Sequence, residues 1–276
     1  MLELTCDQAQ TLKEFTENHY AQASFFWEQL LKEKNIKVNG IRIKENVPLN
    51  VGDTVAYYLT QKQAEKSAFF TMYQDENVLI VDKESGVNSE AVFSALERQG
   101  DYRFIHRLDR NTKGLLVFAR NELAETALLK AFREKTVEKT YHALCFGKIP
   151  VEHAVLKAFL RKDAKNALSV VFDHPTSGAV EIVTEYRVLE YLQEQITKVE
   201  ILLHTGKTHQ IRAHFAHVGF PIVGDMKYGD KTQNKALKMA RQCLVAKILQ
   251  FSLEGELEYL NEKTFVSRFE AELPTK

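Results

Sequence analysis

Cysteine is scarce in these 276 residues: Cys6, Cys145 and Cys243 stand far apart and are odd in number. That pattern fits neither a disulfide framework nor a close-spaced zinc site, and it points to a reducing cytoplasm. Long apolar runs are missing as well, since none approaches the roughly 18 residues of a membrane span. The first residues carry Glu3 and Asp7 where a secretory leader would have a basic patch and an apolar stretch. A cytoplasmic chain with no membrane partner is the expectation. Internal repeats and low-complexity tracts are absent too. Net charge is zero, because Lys plus Arg and Asp plus Glu each total 37, so nothing global speaks for a polyanionic partner.

What is present is core material and local polarity. Hydrophobic residues make up 45% and charged residues 27%, an ordinary globular balance. The length suits one large domain with a small appendage. Charge is unevenly placed: residues 102–120 hold five bases against Asp109, and residues 227–247 hold six against Asp230, while residues 252–276 carry six acids and three bases. Either basic stretch could meet a phosphate backbone.

Residues 1–60 read as a small unit: a helix from Cys6 to Glu17, a second from Ser24 to Lys34, then a hairpin turning at Asn39-Gly40, the pair most tolerant of positive φ. A turn at Val51-Gly52-Asp53 precedes a strand from Thr54 to Leu59. Residues 61–68 are polar and unpatterned, as a linker would be. From there to 276 the chain reads as one domain. Strands are expected at Val78–Val81, Gly114–Ala119, Val137–Phe146, Leu168–Phe172, Ala179–Leu192, Thr197–Leu203 and Cys243–Leu253. A helix at Leu123–Phe132 would bury Leu123, Ala127 and Ala131. Many strands and few short helices predict an α+β fold on a mixed or antiparallel sheet.

Two polar clusters could carry chemistry. In Phe104-Ile105-His106-Arg107-Leu108-Asp109-Arg110-Asn111-Thr112-Lys113-Gly114 a single carboxylate sits among cations and a histidine at the entrance of a strand, a setting that favours an ionised acid able to act as a nucleophile. The second cluster runs from Leu203 to His214. Here Thr208 would cap a helix whose apolar stripe is Ile211, Phe215 and Val218, leaving His209 and Arg212 on a polar face. Gly206-Lys207-Thr208 ends like a phosphate-binding loop, but the glycine required five positions earlier is Ile201. His204, His209, His214 and His217 lack the spacing and acidic partner of a zinc site, so no metal is expected.

Taken in order, Asp82-Lys83-Glu84-Ser85-Gly86, His106-Arg107-Leu108-Asp109, Lys139-Thr140-Tyr141, Thr205 to Arg212, and Gly224-Asp225 with Tyr228-Gly229 resemble the RluA-type (ribosomal large-subunit) pseudouridine synthases, from about Tyr73 to Phe251. The resemblance implies an enzyme that isomerises uridine to pseudouridine in ribosomal or transfer RNA, as a monomer, without metal or organic cofactor. It implies Asp109 as nucleophile, Tyr141 packed on the target uracil, and Arg212 paired with Asp109. Within the same blocks His106, Arg107, Arg110, Lys113, Lys139, Lys207, Thr208, His209 and Gln210 are expected to hold RNA. The small N-terminal unit resembles a helix-plus-hairpin RNA-binding module of a small-subunit ribosomal protein. Departures from the family pattern are Asn111, Lys113, Lys207 and Val245, which bear on backbone contacts and so on the choice of RNA. A catalytically inactive RNA-binding or ribosome-assembly factor is the alternative from the binding class. A glycoside or nucleoside hydrolase would need a paired general acid, and Asp109 has only cations beside it.

Overall fold

A computed structural model describes residues 1–192 and 195–273. The N-terminal unit runs β1 (Leu2–Thr5), β2 (Gln10–Thr11), α1 (Leu12–His19), α2 (Ala21–Phe25), α3 (Trp27–Lys32), β3 (Ile36–Val38), β4 (Ile41–Ile43), β5 (Pro48–Leu49) and β6 (Thr54–Tyr57). The expected helix from Cys6 is corrected. Thr11 and Glu14 form a capping box that starts α1 at Leu12, and the residues before Cys6 pair with β6 instead. The second helix breaks at Phe26 into two short ones. The Asn39-Gly40 hairpin forms as expected between β3 and β4, with φ of 48° and 80°. Residues 61–67 are not an unpatterned linker. Thr60 and Gln63 make a second capping box, giving α4 (Gln61–Glu65), and the Gln22 amide ties this helix down through the carbonyls of Gln63 and Lys66.

The rest of the chain supplies β7 (Phe69–Gln74), β8 (Val78–Lys83), α5 (Ser89–Glu97), β9 (Arg103–Phe104), β10 (Lys113–Ala119), α6 (Glu122–Glu134), β11 (Val137–Phe146), β12 (His153–Asp163), β13 (Leu168–Phe172), β14 (Val180–Leu192), β15 (Ile196–Leu203), α7 (Gln210–His217), α8 (Lys231–Ala236), β16 (Leu244–Phe251), a 3-10 turn (Gly255–Leu260) and β17 (Thr264–Val266). One eleven-stranded sheet runs β13-β12-β14-β15-β11-β16-β10-β8-β7, with β17 on β16 and β9 on β10. Its pairs are antiparallel except β10 with β16. This is the mixed sheet of an α+β fold.

The central strands β8, β10, β11 and β16 bury both faces, as their near-continuous apolar residues require. On the front, Leu79, Val81, Leu116, Phe118, Tyr141, Ala143 and Ile201 pack with α5, α7 and the N-terminal Phe25. On the back, Val78, Ile80, Leu115, Val117, Val137 and Leu249 pack with α6 and the 3-10 turn. Leu123 is 45% exposed; α6 buries Ala124, Leu128 and Ala131. The Asn121 side chain caps the Ala124 amide and sets that rotation.

Strand β11 changes register against β16 between Thr140 and Tyr141. This bulge interrupts the simple strand alternation between Lys139 and Tyr141. Val137 belongs to the back core and Tyr141 to the front, and the Lys139 ammonium lies 5.3 Å over the Phe132 ring of α6. No helix among the described residues is long and apolar enough to cross a membrane.

Candidate active site

The loop between β9 and β10 is held by backbone contacts before any of its charges come into play. Ser89, at the start of α5, donates to the Leu108 carbonyl and accepts from the Leu108 amide, both at 3.0 Å. The Gly86 amide and the Lys83 ammonium donate to the Arg110 carbonyl, and Ser85 donates to that of Asn111. Lys83 is fully buried and also donates to the carbonyls of Glu84 and Val87, so its three N–H groups meet three acceptors. Burial lowers its pKa to about 7, while Asp109, Glu84 and Glu90 pull the other way. Asp109 therefore projects from a loop fixed on both sides.

Arg212 comes from α7, 103 residues away in sequence, and its Nη1 donates to Asp109 Oδ2 at 2.7 Å. The expectation of a polar face for Arg212 fails, because α7 buries every residue from Gln210 to Phe215. Its charge is compensated by Asp225, which accepts from Nε at 2.6 Å and from Nη2 at 3.0 Å. Burial works against the charge of Arg212, but the bonds and charges of Asp225 and Asp109 outweigh it and hold its pKa above the usual value. Burial likewise pushes Asp225 up, and the Arg212 pair brings it below the ordinary carboxylate range.

Thr208 does not cap α7. His209 stands at the N-cap with φ of 57° and no side-chain cap, and the loop before it is held by the Gln210 amide, whose oxygen accepts from Thr205 Oγ1 and the Lys207 N–H. His209 Nδ1 meets the Tyr228 hydroxyl at 2.9 Å, and Nε2 lies 3.9 Å from Asp109 Oδ2. Burial lowers the His209 pKa, opposed by Asp109.

These groups open on a cleft of about 700 Å³ whose walls include Tyr141, Leu244 and Ile211, a size suited to a small ligand or base. Tyr141 is 8% exposed, and burial together with the Asp109 charge raises its pKa. The cleft also gathers His106, Arg107, Lys139, Lys207, Thr208, His209 and Gln210. Arg110 and Lys113 are not in its lining: Arg110 is exposed, and Lys113 lies over the Phe269 ring and near Glu84. His106 is stacked on Phe132 and accepts the Val117 N–H through Nε2, which makes it a neutral ring; burial, then Lys139, lowers its pKa to about 3. Arg107 is exposed and paired with Glu90 at 2.8 Å. Among the described residues no group of three or more His, Cys, Asp or Glu is placed to hold a metal. Sequence reasoning gave no role to Lys83, Ser89 or Asp225. The blocks containing Lys83 and Asp225 were visible, but not what those side chains reach.

A sequence profile described as RNA pseudouridylate synthase matches residues 77–217. The chain is 30% identical to an uncharacterized RNA pseudouridine synthase, YlyB, of Bacillus subtilis, over 94% of this chain and 88% of that one. It is 29% identical to the ribosomal large subunit pseudouridine synthase C of Rickettsia felis, over 87% and 90% of the two chains. Among solved structures, human RNA pseudouridylate synthase domain containing 1 superposes with a TM-score of 0.61 at 26% identity, covering 68% of this chain and 81% of that one.

Proposed function

This chain belongs to the RNA pseudouridylate synthase family and is an RNA pseudouridine synthase, an isomerase, and we propose that Asp109 is its nucleophile, Tyr141 the ring that packs on the target uracil and Arg212 the cation that orients Asp109. The observation that carries this reading is the 2.7 Å bond from Arg212 to Asp109 at the wall of a cleft that also holds Tyr141.

The chemistry asks for little more. A target uridine leaves its stack at a cost of a few kcal/mol, smallest in unpaired RNA. Stacking on Tyr141 returns about 1–3 kcal/mol of it. The carboxylate of Asp109 attacks the uracil ring or the ribose, the bond from N1 to C1′ breaks, the base turns, a bond from C5 to C1′ forms, and the bond from Asp109 to the substrate breaks to return the free carboxylate. The C5 proton leaves and N1 gains one, so product and substrate have the same atoms and no oxidant or reductant is consumed. Holding the detached base in a fixed pose is what prevents its loss.

Arg107 and Lys207, exposed at the rim, are the phosphate contacts of this reading, with Lys139 beside them. Thr208, His209 and Gln210 shape the wall below Lys207. Arg110 and Lys113 contribute at most to a wider surface. The names of the relatives make large-subunit ribosomal RNA the first substrate to try. A factor that only binds RNA would have no need of a half-buried carboxylate held by a buried arginine.

The test is tritium release from RNA carrying C5-tritiated uridine, with metals chelated. Wild-type protein releases tritium; Asp109→Asn releases none and still retains RNA on a filter. Wild-type release by Asp109→Asn would sink the assignment.

A further inference from the structure

The N-terminal unit has a core of its own, to which Cys6, Leu12, Phe15, Ala23, Trp27 and Leu30 belong. One of its aromatic rings is not spent there. Phe25 of α2 is 8% exposed, yet it belongs to the front core of the large sheet, with Val92, Ala95 and Leu96 of α5 and with Leu108. Both α1 and α2 lie against α5, and Ala21 and Phe26 pack on the same cluster. We propose that α2 is a brace for the Asp109 loop, in which Phe25 and Gln22 are positioning residues that reach the loop from its two sides.

The first route is apolar. Helix α5 is only nine residues long, and Asn88 at its N-cap makes no side-chain bond to it. A helix so short takes its stability from packing, and Phe25 is part of what packs on it. The first residue of α5 is Ser89, which holds both the amide and the carbonyl of Leu108, the residue before Asp109. The second route is polar. The Gln22 amide donates to the carbonyls of Gln63 and Lys66 at the end of α4. Lys66 lies 3.6 Å from Glu84, and the Glu84 amide donates to the Ala68 carbonyl at 2.9 Å. Next in the chain, Ser85 and Gly86 donate to the carbonyls of Asn111 and Arg110. The Lys66 pair is partly exposed and adds little, so the backbone bonds carry this route. Leu108 on one side of Asp109 and Arg110-Asn111 on the other are thus both tied back to one short helix. A unit swinging on a flexible tether could transmit neither tie.

The inference rests on Asp109 being the nucleophile. In the full chain, Phe25→Ala is expected to lower kcat about 10- to 100-fold with KM for RNA unchanged, because a remote change that misplaces a reacting group by near 1 Å costs that order. Phe25→Leu, which refills most of the space, should stay within about threefold of wild type. Amide hydrogen exchange at Leu108 should quicken at least about tenfold in Phe25→Ala while the amides of α6 keep their rate, since only the braced region loosens. Should Phe25→Ala fail to fold, Gln22→Met keeps the side-chain length and removes its donors, and kcat is expected to fall about three- to tenfold at constant KM. Wild-type kcat in a folded Phe25→Ala overturns the brace and leaves Asp109 as nucleophile. So does a raised KM with kcat intact, the result for a unit that only grips RNA. An active Asp109→Asn overturns the nucleophile and the brace together.

Discussion

Lys83 at the end of β8 and Lys247 in β16 are both buried cations whose ammonium groups meet backbone carbonyls. Lys247 reaches those of Ser267 and Phe269 and also pairs with Glu270. Lys83 reaches three carbonyls and, among the described residues, has no carboxylate in ion-pair contact. One ties the C-terminal strap to the back of the sheet; the other ties the Asp109 loop to the front. A cation compensated by its own carboxylate is a fastening. A cation compensated only by peptide dipoles, with Asp109 among the charges it feels, is coupled to the site.

The largest expected effect separates the two. Lys83→Met should lower tritium release at least about 100-fold, because a shift near 1 Å in a reacting group costs that much. It should also cost about 2–4 kcal/mol in urea unfolding, as carbonyls lose donors at roughly 1–3 kcal/mol each, less the relief of an unpaired buried charge. Lys247→Met should lose stability by about 1–3 kcal/mol and keep kcat. Equal losses of activity in both would erase the distinction.

A pH series sharpens it. Unfolded lysine holds its proton to about 10.5, whereas folded Lys83 releases it near about 7. Between those values the unfolded chain binds more protons, so the Lys83 contribution makes stability rise with pH across that window and is least favourable below about 7. The rise, read as the urea midpoint of wild type minus that of Lys83→Met from pH 7 to 10, should be positive. A flat difference would mean that the three carbonyls hold the ammonium charged throughout. The smallest effect is expected for Glu270→Gln. Glu270 is 41% exposed, so its pair with Lys247 should be worth no more than about 1 kcal/mol, with no change in kcat.

Strands with strong apolar patterning were legible from sequence, β11 and β13 to the residue. Strand β12 was not, because only two of its residues, Ala158 and Leu160, are buried and its sequence gives no clean apolar alternation. The face of α6 was misread because Leu123, Ala127, Ala131 and Ala124, Leu128, Ala131 are both plausible stripes, and only the Asn121 cap separates them. At the site, ordered sequence blocks named Asp109, Tyr141 and Arg212. The burial of Arg212 was illegible, since its second carboxylate lies beyond the end of its helix and no periodicity links the two. Counting cations also misled: Lys247 and Arg241 belong to a basic stretch, yet one is buried in the sheet and the other donates to the Ser85 carbonyl.

The sheet order has a consequence for the making of this protein. Strand β16 lies between β10, which follows the Asp109 loop, and β11, which carries Tyr141, yet it is translated long after both. Until it emerges from the ribosome the two strands have no common neighbour and Leu244 is missing from the cleft wall. A nascent chain that already contains Asp109, Tyr141 and Arg212 is thus expected to be silent toward RNA, including the RNA of the ribosome that is building it.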